Sequence, residues 1–281
     1  MAQAGAQALG AGAFYGAVRG RREQCGVIFT DLRHTAPRKL PSHAHELAFF
    51  AVLLEGFYGE RYGRHDRQFR PFSVHYRPAG VPHQDEVGPR GARFFEIEVR
   101  PVWRARLADC SAMLDVARDD CQGGQLLWLA MKIFREVRGG LSSPALAMDD
   151  LALESLLAEL LGAAARKPPV IERQRPRWLD RVIEKLAVTG AHRLTLDDLS
   201  REAGVHPVHL SRVFRKFAGE GIGEHVRRLR VLAACEQMRE PGRSIADISL
   251  DLGFADQSHF TRTFRRVAGT TPGAFRAQLA M

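Results

Sequence analysis

Apolar and polar positions fall into three textures along the chain. Between residues 25 and 100 the apolar residues come in short runs broken by glycine and proline. Runs at 27–29, 47–54, 69–76 and 93–99 predict β-strands. The last has the clearest period: Phe95, Ile97 and Val99 alternate with Glu96 and Glu98, which predicts one buried face and one wet face. Regularly spaced short strands with glycine and proline turns predict a small β-barrel or sandwich. From Val102 the period turns helical, with Leu107, Cys110, Leu114, Leu126, Leu129, Ile133, Phe134 and Val137 recurring at threes and fours. A break at 139–144 follows, and the helical period resumes over 145–165 with Leu146, Leu153, Leu156, Leu157, Leu160 and Leu161. So leucine-rich a helix needs a second surface, either its own barrel or the same helix of another subunit.

The third texture is a repeat. Residues 196–219 and 245–269 can be superposed as sequences. Leu196, Leu199, Ser200, Gly204 and Val205 match Ile245, Ile248, Ser249, Gly253 and Phe254; Leu210, Arg212, Phe214, Arg215 and Gly219 match Phe260, Arg262, Phe264, Arg265 and Gly269. The second copy carries one extra residue in its turn. Each copy reads as helix, glycine turn, helix, with the glycine permitting the bend and the apolar frame locking the helices together.

The second helix of each copy says what the repeat is for. Val208, Ser211, Arg212, Arg215 and Lys216 in one copy, and Gln257, Ser258, Thr261, Arg262, Arg265 and Arg266 in the other, fall outside the buried frame. Arg, Gln and Ser are side chains that fork onto base edges or hold phosphates. A helix of about 11 residues is roughly 16 Å long and fits a major groove about 12 Å wide. One such helix is equally well a basic amphipathic helix with a solvated face; two copies with the same frame and the same arginines favour nucleic acid.

Composition adjusts this picture at a few points. A chain of 281 residues is long enough for two domains. The net charge is +9, and the excess is concentrated in the C-terminal part: 19 basic against 13 acidic residues from Ile171 onward, 22 against 19 before it. That distribution suits a polyanion-binding domain at the C-terminal end. Cys25, Cys110, Cys121 and Cys235 are scattered without a CxxC pair, so they are expected to be reduced thiols in a cytoplasmic protein. No apolar run is long enough to span a bilayer, and no membrane partner is expected. Residues 1–20, rich in Ala and Gly, are expected to form a flexible arm.

Three histidines stand out in the strand region. His43 and His45 are two apart, so on a strand they share a face, and His83 follows the turn Pro78-Ala-Gly80-Val-Pro. The layout HxH and then PxGxxH resembles the two short motifs of the cupin barrel. In metal-binding cupins such histidines, with a Glu shortly after HxH, hold a divalent metal. Here that later position is Phe49, and the nearby Glu46 should face the other way. Three imidazoles suit a transition metal; the alternative is that they line a pocket and hydrogen-bond within it. Tyr76 joins them as a candidate pocket residue. No cofactor is expected.

The C-terminal hundred residues are similar to the AraC/XylS family of transcription regulators. The similarity rests on Leu199-x4-Gly204-x5-Leu210-Ser-Arg212-x-Phe214, on Arg230 and Ala233 of the linking helix, and on Ile248-x4-Gly253-Phe254-x5-Phe260-x-Arg262-x-Phe264-x4-Gly269-x-x-Pro272-x-x-Phe275-Arg276. It implies an α+β chain with a cupin-like effector-binding and dimerisation domain (21–165) and a double helix-turn-helix domain (177–281); composition places a flexible arm (1–20) before the first and a Pro-rich, charged linker (166–176) between them. It also implies base-reading positions at Val208, Ser211 and Arg212 in the first unit, and at Gln257, Ser258, His259, Thr261 and Arg262 in the second. The implied partners are double-stranded DNA, a small-molecule effector, RNA polymerase and a second copy of the chain. The rival from another class is a cupin-type metal-dependent enzyme carrying an attached helical domain. A third reading is a module that recruits polymerase without an effector.

Overall fold

The structure, a computed structural model, describes residues 6–106, 114–121, 123–142, 149–166, 176–188 and 194–279. The chain divides into two compact units, Met1–Arg166 and Lys167–Met281. Most of the expected linker, and Leu107, Cys110 and Leu146 of the helical pattern, lie outside the described residues.

The first unit is built on two long antiparallel strands, β6 (Ala48–Tyr62) and β9 (His83–Val99), paired along most of their length. Around them stand β1 (Gln7–Leu9), β2 (Ala17–Gln24), β3 (Val27–His34), β4 (Arg38–Lys39), β5 (His43–His45), β7 (His65–Phe69), β8 (Ser73–Arg77) and β10 (Arg118–Asp120), all in one ten-stranded sheet. The sheet bends where β6 passes β9 with register shifts at Leu53/Glu55 and Gly56/Tyr58. Two glycines make the bend possible. A Cβ on Gly56 would lie 1.9 Å from the Gly91 carbonyl oxygen, and one on Gly91 would lie 2.1 Å from that of His34; both also have positive φ.

Helices α2 (Gln125–Ser142) and α3 (Asp150–Ala165) pack on one another, and α2 covers the outer face of the sheet. The Phe134 ring of α2 meets Phe95 of β9 at 4.9 Å between centroids. Asp149 caps α3, accepting a hydrogen bond from the Ala152 N–H at 3.1 Å. The leucine stripe of α3 is consumed inside the unit: Leu153, Leu156, Leu157, Leu160 and Leu161 are buried, and Leu151 is the leucine of α3 left in solvent. The stripe is therefore occupied by its own unit, and little of it is left to pair subunits.

Two expectations are corrected here. Glu96 and Glu98 do not form a wet face; they are 4% and 0% exposed. Alternation gave the parity correctly, but Phe95, Ile97 and Val99 face the helical layer while the glutamates face the barrel interior, so both faces are covered. The arm is also not free. From Gln7 onward it is folded: β1 lies parallel to β5, with Gln7 opposite His43 and Leu9 opposite His45, and β2 pairs with β3. The Gly12 N–H donates to the buried Glu98 carboxylate at 2.9 and 3.1 Å, and Phe14 packs on the barrel core.

The second unit is all helical: α4 (Arg177–Val188), α5 (Leu196–Ala203), α6 (Pro207–Ala218), α7 (Ile222–Gln237), α8 (Ile245–Asp251), α9 (Gln257–Ala268) and α10 (Pro272–Leu279). The two copies of the repeat become α5–α6 and α8–α9. Thr195 caps α5 through a reciprocal pair with Asp198, and Ser244 caps α8 by accepting from the Asp247 N–H at 3.0 Å. Gly204 and Gly253 take φ of 67° and 73° at the two turns, where a Cβ would be strained. Leu199, Leu210 and Phe214 close the first core together with Leu179, Val182 and Leu186 of α4. Phe254, Phe260, Phe264 and Phe275 form a chain of ring contacts in the second, at 5.1, 5.6 and 5.5 Å. Helix α1 (Pro101–Arg106) belongs to the first unit, where it follows β9 directly.

Candidate nucleic-acid interface and barrel cavity

The buried frame of α6 and α9 decides which side chains remain outside. Leu210 and Phe214, and likewise Phe260, Thr263 and Phe264, point inward and leave the intervening positions to solvent. Val208, Arg212, Arg215 and Lys216 are exposed and Ser211 is half-buried. In α9, Gln257, Ser258, His259, Arg262 and Arg265 are exposed and Thr261 is half-buried. All eleven expected reading positions thus stand on or beside the outer face of their helix. Val208 is 69% exposed, a high value for valine, on a helix whose apolar frame is otherwise buried.

The arginines of this unit divide by partner. Arg228 on α7 is bound to Glu220, and the buried His225 meets Glu220 at 2.7 Å. Burial alone would raise Glu220, but the hydrogen bonds from His225 and Arg228 outweigh it and hold its carboxyl down at about 2. Arg230 lies 5.7 Å from the centre of the Phe254 ring and donates to the Gly253 carbonyl at 3.4 Å, tying α7 to the second turn. Arg243 pairs with Asp251. By contrast, no carboxylate pairs with Arg212, Arg215, Arg262 or Arg265 among the described residues. Arg228, Arg230 and Arg243 are matched with acids or a ring, whereas these four stand on the outer faces of α6 and α9 without an acid, Arg212 touching the His209 ring at 3.4 Å. The helix α7 that joins the copies packs Ile222, Val226 and Leu229 on the first core and also touches α8 and α9.

The barrel holds the second candidate site. His43, His45 and His83 come together on adjoining strands, their ligating nitrogens within 4.8 Å of one another. The chamber they share with Asp85 is also lined by His34, His75, Glu96, Phe14, Tyr15 and Phe49, and has about 30 Å³ of room for water-sized occupants. Phe14 and Tyr15 come from the segment expected to be mobile; their rings lie 4.7 Å from His45 and 5.0 Å from His43. Burial dominates the electrostatics. It pushes His45 down to about 3, helped by His83 and His43, and His34 down to about 4, helped by Arg38. His43, His83 and His75 are lowered too, first by burial. Burial raises Asp85 to about 7, with Glu60 adding to it, and raises Glu96 well above the carboxylate range. The imidazoles are therefore neutral, with lone pairs available, around neutral pH.

Tyr76 is not in this chamber. On β8 the parity puts His75 inward and Tyr76 outward, where its ring lies tilted against Phe50 at 4.7 Å and its hydroxyl donates to the Leu114 carbonyl at 2.8 Å. It lines a separate, more apolar cavity of about 100 Å³ by the same measure, with Leu47, Val99 and Leu161. Arg77, fully buried, is bound to Glu60 at 2.8 Å and to Asp119 at 2.8 Å. Sequence reasoning missed Asp85, His75 and Glu96. Asp85 was findable, since it lies two residues beyond His83 on one strand and must share its face. His75 needed the correct parity of β8.

Comparison with known proteins finds sequence similarity in the helical unit. A family model described as a helix-turn-helix domain matches residues 199–278. A probable transcription factor, PqrA of Proteus vulgaris, is 35% identical over 100 residues, covering 36% of this chain and 78% of that protein. The HTH-type transcriptional regulator GlxA of Rhizobium meliloti is 29% identical over 215 residues, covering 74% of this chain and 59% of that protein. A solved regulator from Chromobacterium violaceum, described as having an AraC-type DNA-binding domain, is 28% identical, covers 37% of this chain and 93% of that one, and has a TM-score of 0.35.

Proposed function

We propose, given that the chain belongs to the AraC/XylS family of DNA-binding transcription regulators, that α6 and α9 are its two reading helices and that they enter successive segments of one major groove. Arg212 and Arg262 take base edges, with Gln257, Ser258, His259 and Thr261 beside the second. Arg215, Lys216 and Arg265 hold phosphates. The barrel unit takes a small effector in its histidine-lined chamber, and effector binding biases how the helical unit meets DNA. Such coupling requires the effector to bind two states with different affinity.

The observation that carries this reading is the pairing of two matching apolar frames with two outward faces on which Arg212, Arg215, Arg262 and Arg265 lack acidic partners among the described residues. A guanidinium can fork onto guanine, and each such contact discriminates against a wrong base by about 1–3 kcal/mol. The test starts by selecting a binding site from random DNA with the full chain. Arg212→Ala and Arg262→Ala are each expected to lose affinity for the selected site by roughly 5- to 150-fold while keeping most binding to random DNA. Arg265→Ala is expected to weaken both equally and to flatten the salt dependence by about one counterion. Selected-site affinity unchanged in both Arg212→Ala and Arg262→Ala would remove the assignment.

A further inference from the structure

The two faces of the sheet in the first unit are lined differently. Phe49 and His75 turn toward the histidine chamber, while Ala48 and Tyr76 turn to the opposite face, where Ala48 stands across from Val99 of β9. Helix α1, Leu114 and α3 meet at this face and leave a cavity of about 100 Å³ between them. Its floor is Leu47, Tyr76, Val99, Leu114 and Leu161, all buried. Packed interiors leave few voids larger than a water molecule, so an apolar hollow of this size stands out. Ala48 and Ala79 keep it open, each presenting one methyl group where a longer side chain would fill the space.

The rim decides the chemistry. Arg100 donates to both oxygens of Glu23 at 2.6 and 2.9 Å, and Arg104 to both of Asp115 at 2.6 and 2.8 Å. Glu46 accepts from the Ala11 N–H at 3.1 Å, and the Tyr76 hydroxyl donates to the Leu114 carbonyl at 2.8 Å. Burial pushes that hydroxyl up to about 12, so it stays a neutral donor. Each charged side chain lining the cavity is thus already engaged. A carboxylate ligand would have to displace Glu23 or Asp115, and an ammonium ligand would find Glu46 alone. Moving a charge out of water without a partner costs more than burying a few carbons returns.

We propose that this outer cavity is a binding site for a small, uncharged, mainly hydrocarbon molecule. Glu46, Ala79, Pro101 and Arg104 on the rim are exposed, so the cavity opens to solvent on that side. An apolar cavity of about 150 Å³ holds benzene or xenon. A space of about 100 Å³ with an open side therefore suits a single ring, or a chain of about six carbons. The ligand lies on Leu47, Val99 and Leu161. A lone polar group on it would sit at the Tyr76 oxygen, which donates to Leu114 and keeps lone pairs for accepting. This goes beyond the reading of the histidine chamber as an effector site: the sheet separates the two spaces, and they share no lining residue among those described.

The test uses full-length chain with isotope-labelled Leu and Val methyl groups, titrated in the absence of DNA and followed by nuclear magnetic resonance. The probes are toluene, benzoate and benzylamine, single rings of similar size that differ in charge. Toluene is expected to give saturable shifts centred on the methyls of Leu47, Val99 and Leu161 and to spare Leu32 and Leu40, which line the histidine chamber. Benzoate and benzylamine should bind there at least roughly tenfold more weakly. Ala48→Leu fills the cavity from beside its floor and Ala79→Leu from its rim, and each should weaken toluene by at least roughly tenfold. Ala79 is exposed, so its variant carries the test if Ala48→Leu fails to fold. Absence of saturable shifts with toluene, shifts centred on Leu32 and Leu40, toluene affinity unchanged in the folded variants, or a charged probe binding as tightly as toluene would overturn the proposal. Because neither DNA nor a chamber histidine enters the test, a negative result leaves the DNA-reading and chamber assignments standing, and their failure leaves this site standing.

Discussion

In the helical unit the cations stand outside a phenylalanine core, while in the barrel unit imidazoles and carboxylates are gathered inside and the outer face is apolar, covered by helices. Arg212 and Arg262 are exposed and lack acidic partners among the described residues; His43, His45 and Asp85 are buried and face one another. The same rule explains both. A polar group that its own fold does not satisfy is costly unless solvent or a ligand takes it. On α6 and α9 solvent takes the arginines, which leaves them open to the polyanion of the proposed reading. In the barrel there is little solvent to do so, and the imidazoles and carboxylates face one another across a small chamber. The direction in which polar groups point therefore separates the proposed DNA-reading surface from the proposed effector chamber.

The comparison can be broken first at the core of the repeat. Phe214→Ala and Phe264→Ala remove matching rings from the two copies, and each is expected to cost about 3–5 kcal/mol of stability in the helical unit. Chemical denaturation followed by circular dichroism checks this; a large loss from one and none from the other would show that the copies are not equivalent in packing. Next come the capping residues. Thr195→Ala and Ser244→Ala should each cost about 0.5–2 kcal/mol, because each side chain satisfies an otherwise orphaned helix N–H. The two should cost about the same, since in both the lost hydroxyl also donates to the aspartate of the first turn, Asp198 or Asp247, at 2.6 Å.

The smallest effect is a matter of pH. Glu220 is depressed in the folded state to about 2, against about 4.3 for an unperturbed glutamate. The unfolded chain therefore binds its proton first as pH falls, and the stabilisation is present above about 4.3 and lost as pH falls through about 2. Glu220→Gln is expected to flatten the acid limb of the stability curve in that window. An acid limb identical to that of the parent chain would remove the Glu220–His225–Arg228 cluster as a contributor.

Much of the helical unit was legible because its signals are local. Glycine turns, caps and an i, i+3, i+4 frame are written within a few residues of where they act, so the roles of Thr195, Ser244, Gly204 and Gly253 follow from their immediate neighbours in the chain. The barrel was less legible because strand parity is shared between distant segments. Glu96 and Glu98 alternate with apolar residues as a surface strand would, and nothing local says that a curled sheet has placed them inside. Tyr76 was one residue out of phase with the chamber, and His75 beside it was in phase. Residues 7–15 look mobile by composition, yet they are held by hydrogen bonds to β5 and to Glu98, partners more than thirty residues away in sequence. Asp85 lay within reach of the sequence, two positions after His83, but the resemblance directed attention to a carboxylate after the HxH pair.

The measurement that bears most directly on the central claim is a hydroxyl-radical footprint of the full chain on its selected site, repeated with Arg212→Ala and with Arg262→Ala. Two protected patches on one face of the duplex, about 10–10.5 base pairs apart, are expected, with each substitution weakening a different patch. A single patch, or two that respond identically to either substitution, would contradict the picture of two separate reading helices on a common connecting helix.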